Sequence, residues 1–183
     1  MTSYNLQRVN VLVVEGHRMM RRLMHDVLAT LGCKNIEVVP AQQLDKPEHA
    51  TFVPDVIFAD WSPSCDGLSL IKDIRFHRRN FDRFMPIVMV SAYTEVRQVC
   101  AARDAGITEF LAKPLTAGLI YRRICALVEN PRDFVETKSY FGPDRRRRAL
   151  GPNGPERRNG AGAGLVIRGG HQPERPALAD LIR

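Results

Sequence analysis

From Val9 onward, short apolar runs alternate with longer stretches in which apolar residues recur at helical spacing. The runs Val9–Val14, Ile36–Val39, Asp55–Ala59, Pro86–Val90 and Ile107–Leu111 are rich in valine and isoleucine, as strands covered on both faces must be. Between and after them the spacing predicts helices at 17 to 31, 67 to 77, 95 to 104 and 116 to 129, with a short one near 42 to 50. Alternation of this kind builds a parallel sheet with helices on both faces, an α/β fold of five βα units. The first helix shows the clearest period: Met20, Leu23, Met24, Val27, Leu28 and Leu31 share a stripe, and Arg18, Arg21, Arg22 and Asp26 lie largely off it. Met19 through Leu31 are therefore read as core packing rather than a binding surface. Gly32 follows as the residue that ends the helix.

The pattern stops at Asn130-Pro131, dividing the chain into a domain at 8–130 and a tail at 131–183. The tail holds six of the twelve prolines and eight of the thirteen glycines, with no sustained apolar period. Such a segment buries too little surface to offset its ordering entropy, so it is expected to be largely disordered until a ligand binds. A short apolar stretch, Leu178-Ala179-Asp180-Leu181-Ile182, is long enough for one helical turn but too short to be stable alone.

Charge divides in the same place. Residues 1–130 carry 16 Lys/Arg against 14 Asp/Glu, whereas the tail carries 11 against 6, so most of the net +7 lies there. A local excess of this kind attracts phosphate-bearing partners without choosing among them. The cysteines, Cys33, Cys65, Cys100 and Cys125, form no C-x-x-C pair and are read as free thiols, with Cys100 and Cys125 facing the core. No apolar run approaches the length of a membrane span, and no signal-peptide pattern opens the chain. A cytoplasmic protein without membrane insertion is expected.

In open parallel sheets, chemistry collects at the carboxyl ends of the strands. There the sequence places Glu15-Gly16, Asp60, Ser91 and Lys113-Pro114. A carboxylate in such a pocket can attack a phosphoryl group while the hydroxyl and ammonium hold the transferred oxygens.

The segments VLVVEGHRMMRRLM, DVIFADW, PIVMVSAY and GITEFLAKP resemble, in order and spacing, the motifs of response-regulator receiver domains, the CheY-like family. The resemblance covers residues 9–129 and implies a flavodoxin-like fold with strand order 2-1-3-4-5. It also implies a phosphoacceptor at Asp60, the family's hydroxyl at Ser91, its phosphate-sensing lysine at Lys113 and its switch aromatic at Phe110. Lys113-Pro114 matches the family's cis peptide. Two departures accompany these matches. The family carries two adjacent acids after strand 1, the second a Mg²⁺ ligand, where this chain has Glu15-Gly16, and glycine has no side chain to ligate. The loop after Asp60 brings Pro63 and Gly67 one residue early, at the place where the family supplies a carbonyl to the metal. Mg²⁺ is accordingly not expected, and the fold is read as a scaffold without catalytic residues rather than an ordinary phosphoswitch.

The tail contains the doublet Gly142-Pro143-Asp144-Arg145-Arg146-Arg147-Arg148 and Gly154-Pro155-Glu156-Arg157-Arg158. Arginine forks fit phosphate oxygens and the O6/N7 edge of guanine, while a carboxylate accepts from guanine's N1 and N2 donors. Asp144 and Glu156 are thus candidate guanine readers, the arginines candidate phosphate and guanine donors, and Tyr140 and Phe141 either stacking rings or anchors of the tail. The stretch TKSYFGPDRRRRALGPNGPERRNG behind a receiver resembles the CheY-like cyclic-di-GMP effector family of flagellated bacteria. That resemblance implies cyclic di-GMP as ligand. It also implies docking on the flagellar motor switch, here assigned to the face of helix 4, strand 5 and helix 5 (95–104, 107–111 and 116–129). Two further readings stay open: a phosphorelay receiver served by a histidine kinase through Asp60, and a nucleic-acid binder using the basic tail.

Overall fold

The computed structural model describes residues 4–49, 51–76, 79–145, 165–167 and 178–182. Its main sheet has the strands β1 (Asn10–Val14), β2 (Asn35–Val39), β3 (Val56–Ser62), β5 (Ile87–Ser91) and β6 (Glu109–Ala112), in the order β2-β1-β3-β5-β6. All neighbours along this path are parallel, and a two-residue strand, β4 (Cys65–Asp66), folds back antiparallel on β3. Numbered by βα unit, the order is the expected 2-1-3-4-5. The helices are α1 (Arg18–Thr30), α2 (Gly67–Arg75), α3 (Val96–Ala105) and α4 (Ala117–Glu129).

Successive strand residues point to opposite faces, and this alternation divides the core in two. Val11, Val13, Val56, Phe58, Val88, Val90 and Leu111 pack with Met24 and Leu28 of α1 and with Ile120 and Ile124 of α4. Leu12, Val14, Ile57, Ala59, Ile87 and Met89 pack on the other face with Leu70, Ile71 and Ile74 of α2 and with Ala102 and Ala105 of α3. Each large aliphatic side chain buried this way contributes about 1.5–3 kcal/mol.

The predicted α1 stripe is narrower than expected. Met24 and Leu28 are buried, but Leu23 is 43% and Met19 65% exposed. Leu23 lies about 100° around the helix from Met24, which carries it past the rim of the sheet. In place of a helix near 42 to 50 there are two 3₁₀ turns, Ala41–Gln43 and Pro47–His49. Pro47 has no N–H to continue a helix through that point. Gly32 adopts φ +95° just after α1, as its C-terminal role requires.

The expectation of a structureless tail is corrected for its described segments. Strands β7 (Phe134–Glu136), β8 (Phe141–Pro143) and β9 (Leu165–Ile167) form an antiparallel sheet with β7 in the centre. A single turn of helix, α5 (Leu178–Leu181), brings Leu181 and Ile182 into the α1/α4 face of the core, and Ile182 O accepts from Asn5 N at 3.1 Å. These segments need no periodic pattern of their own, because the domain at 8–130 supplies the apolar partner. Phe134 and Phe141 are buried against Phe84, with ring centroids 5.2 and 5.1 Å from it.

Candidate functional site

Backbone geometry delivers the pocket. The parallel strands β1, β3, β5 and β6 end side by side, so Glu15, Asp60, Ser91 and Lys113 emerge at one edge of the sheet. Glu15, Asp60 and Ser91 are 2%, 1% and 0% exposed. Lys113 Nζ donates to Asp60 Oδ1 at 2.7 Å and to Glu15 Oε2 at 3.0 Å. The remaining oxygens are also engaged: His17 N donates to Glu15 Oε1 at 2.8 Å, and Ser62 Oγ donates to Asp60 Oδ2 at 2.5 Å. Ser91 faces backbone instead, donating from Oγ to Trp61 O at 2.7 Å and accepting from Tyr93 N at 3.0 Å. The peptide between Lys113 and Pro114 is cis. Phe110 is half-buried against the α2/α3 face of the core.

Two buried carboxylates sharing one ammonium form a tightly coupled group. Burial pulls Lys113 down, but hydrogen bonds and charge from Asp60 and Glu15 more than offset it and hold the ammonium above its ordinary range. The neighbouring Cys65 thiol is pushed up to about 12 by burial, reinforced by the charges of Asp60 and Glu15. It stays protonated.

The family resemblance implies a divalent cation here, and the residues present do not fit one. The loop after Asp60 closes as a tight hairpin in which Ser62 pairs with Cys65 and Trp61 with Asp66, leaving Pro63-Ser64 as the turn. That turn puts Ser64 over Gly16. A Cβ built on Gly16 would stand 2.5 Å from Ser64 Oγ and 2.6 Å from Ser64 O, distances that side chains do not tolerate. The space of the absent acid is filled by the shortened loop, and Ser62 Oγ, 3.0 Å from Ser64 Oγ, links that loop to Asp60. Gly67 permits the same tight course, since a Cβ there would meet Asp60 O at 2.3 Å.

Sequence reasoning missed Ser62, Ser64 and Arg21. The only signal for the serines was the shortened DWSPSC loop itself. Arg21, read as lying off the apolar stripe, donates from Nη1 to Glu15 O at 3.0 Å and Gly16 O at 2.8 Å, fixing the β1–α1 connection.

The tail residues lie elsewhere. The β7–β8 hairpin sits where β5 and β6 begin: Arg132 Nη1 donates to Thr108 O just ahead of β6, and Arg83 Nη2 to Glu136 Oε1. At about 3.3 Å per residue, Thr108 and Lys113 are separated by roughly 16 Å along β6, so hairpin and pocket occupy opposite ends of the sheet. Phe141 is buried as an anchor of the tail. Tyr140 is half-buried, its hydroxyl donating to Pro143 O at 2.8 Å, and the Arg145 guanidinium lies 4.0 Å from its ring centroid. Arg145 also pairs with Asp104 at 3.2 Å, and Asp144 N donates to Asp133 O at 2.8 Å. Arg146, Arg147, Arg148, Glu156, Arg157 and Arg158 lie outside the described residues.

Comparison with known proteins agrees with the fold. The family model described as the response regulator receiver domain matches residues 11–125. Chemotaxis protein CheY-3 of Vibrio cholerae is 25% identical over 124 residues, spanning 67% of this chain and 94% of the relative. The KDP operon transcriptional regulatory protein KdpE of Escherichia coli is 33% identical over 116 residues, spanning 63% of this chain and 49% of KdpE. Among solved structures, Vibrio cholerae CheY4 superposes with a TM-score of 0.54 at 24% identity, over 64% of this chain and 96% of that one. Among the described residues, no helix is long and apolar enough to cross a membrane. With more than half of its length matched by that model, the chain belongs to the response regulator receiver domain family of CheY-like signalling proteins.

Proposed function

We propose that this receiver is a non-enzymatic adaptor that takes its input through the arginine-rich tail, with cyclic di-GMP as the ligand. The observation that supports this reading is that Ser64 occupies the space a side chain at position 16 would need, which argues against the family's cation site and so against phosphoryl input as the main signal. The tail offers chemistry that suits a ligand with two guanines and two phosphates: arginine forks, an acid preceding each arginine group, and the repeated Gly-Pro turn. Output goes through the α3–β6–α4 face to a protein partner of the flagellar motor-switch class. The chemotaxis proteins among the relatives support that direction. A cytoplasmic setting follows from this role.

Calorimetry tests the reading directly. Cyclic di-GMP is expected to bind in the micromolar range, GTP and a short RNA much more weakly, and replacement of Arg145 to Arg148 by alanine is expected to abolish binding. Absence of heat with cyclic di-GMP, or binding that survives the replacement, overturns it. Length-dependent RNA binding with a steep salt slope would instead select the nucleic-acid reading.

A second reading, phosphorylation of Asp60 by a histidine kinase, is favoured by the intact contact of Asp60 with Lys113 at 2.7 Å. It predicts labelling by a small phosphodonor with Mg²⁺, lost in Asp60→Asn.

A further inference from the structure

The hairpin of residues 132–145 is seated on the receiver with its backbone close against the turn after α3. Gly106 ends α3 with φ +100°, and a Cβ on Gly142 would stand 2.8 Å from Gly106 Cα. A Cβ on Gly106 would stand 2.8 Å from Phe141 O. Backbone therefore meets backbone at the α3–β6 turn. The same turn is tied inward by Arg75, which is wholly buried and donates from Nε to Gly106 O at 2.8 Å and from Nη1 to Arg83 O and Met85 O at 2.6 and 2.8 Å. Phe134 lies 5.3 Å beneath its guanidinium, and Arg83 stacks 3.2 Å from the Phe141 ring centroid.

The hairpin ends at Arg145, the first arginine of the doublet, and there the contact is weak. Its partner Asp104, in the last turn of α3, is half exposed and is shared with Arg103 at 3.5 Å. Exposed pairs of this kind contribute little and are readily exchanged. A phosphate accepts from an arginine fork through two oxygens and binds it more strongly than a shared surface carboxylate does.

From this arrangement, and resting on the function proposed above, we infer that Asp104 is an internal competitor for the ligand. It holds Arg145 against α3 and Tyr140 when no nucleotide is present, and a phosphate of the dinucleotide displaces it. The exchange removes the ion pair between the end of α3 and Arg145 while the hairpin stays seated on Gly106, and so changes the charge that the end of α3 presents beside the face offered to a partner.

The test is a titration of the full chain and two variants with cyclic di-GMP, read by calorimetry and by the backbone amide spectrum. Asp104→Asn removes the competitor and is expected to tighten binding roughly two- to fivefold. Glu95→Gln makes the same change in charge on an exposed residue at the start of α3 and is expected to leave affinity unchanged. In the wild-type protein, the Arg145, Asp104 and Gly106 amides are expected to shift on binding. Equal affinity of wild type and Asp104→Asn, or equal tightening by Glu95→Gln, overturns the competition while leaving the ligand reading intact. Silence of all three proteins toward the nucleotide overturns both.

Discussion

Ser64 stands where a side chain at position 16 would have to go: a Cβ on Gly16 would meet its Oγ at 2.5 Å and its carbonyl oxygen at 2.6 Å. The missing acid and the shortened loop are therefore one structural change. Loss of the side chain admits the Pro63-Ser64 turn, and the turn excludes the side chain's return.

Restoring the acid alone is expected to fail. Gly16→Asp should overpack against Ser64, costing about 1–3 kcal/mol, without creating a Mg²⁺ site. Gly16→Asp combined with one residue inserted between Ser62 and Cys65 should recover saturable Mg²⁺ binding. Trp61 follows Asp60 directly and is the chain's single tryptophan, so its fluorescence reports the pocket. A saturable Mg²⁺ response in the wild-type protein would contradict this account.

Lys113 is the ammonium bonded to both Glu15 and Asp60, with side chains only 3% and 1% exposed. Lys113→Met is expected to cost about 3–5 kcal/mol, because it strands two carboxylates, with the lower end applying since Lys113 is itself partly exposed. The net hold on the ammonium also sets a pH dependence. Its folded value is raised, so the stabilisation is complete below the ordinary lysine value of 10.5 and is lost as pH rises through the higher folded value. Denaturant midpoints measured across that alkaline window should fall more steeply for the wild-type protein than for Lys113→Met.

Truncation after residue 130 is expected to destabilise the receiver, although composition changes there. It removes Phe134 and Phe141 from Phe84, each ring being worth about 1.5–3 kcal/mol of burial, and removes Leu181 and Ile182 from the α1/α4 face. A chain ending at 145 keeps the hairpin and should melt between the 130-residue piece and the full protein. Equal melting temperatures for all three would show the tail contacts to be energetically idle.

The thiols should react in a set order. Burial pushes Cys33 up to about 11 and Cys65 up to about 12, so at pH 8 neither supplies appreciable thiolate. Cys100 is half-buried, whereas Cys33, Cys65 and Cys125 are buried, and burial also raises Cys125. Alkylation of the native protein followed by mass mapping should find Cys100 modified first, with Cys33 and Cys65 protected until unfolding.

The alternation of Val11, Val13 with Leu12, Val14, repeated in Ile87 to Val90, was enough to determine a doubly covered parallel sheet, because a strand buried on both faces must be apolar at every position. Sheet topology then determined that Glu15, Asp60, Ser91 and Lys113 share one edge. Gly32 at φ +95° was equally legible, since helix ends have a local signature. What the chain did not reveal locally is where distant segments meet. Arg83 and Glu136 are 53 residues apart, yet with Phe84, Phe134 and Phe141 they give the tail a folded seat that its own proline- and glycine-rich composition argued against. Ser64 over Gly16 and Ser62 on Asp60 likewise came only from the closing of a hairpin in space. Period and propensity act along the chain and are written in it, whereas these contacts depend on surfaces that exist only after the sheet has formed.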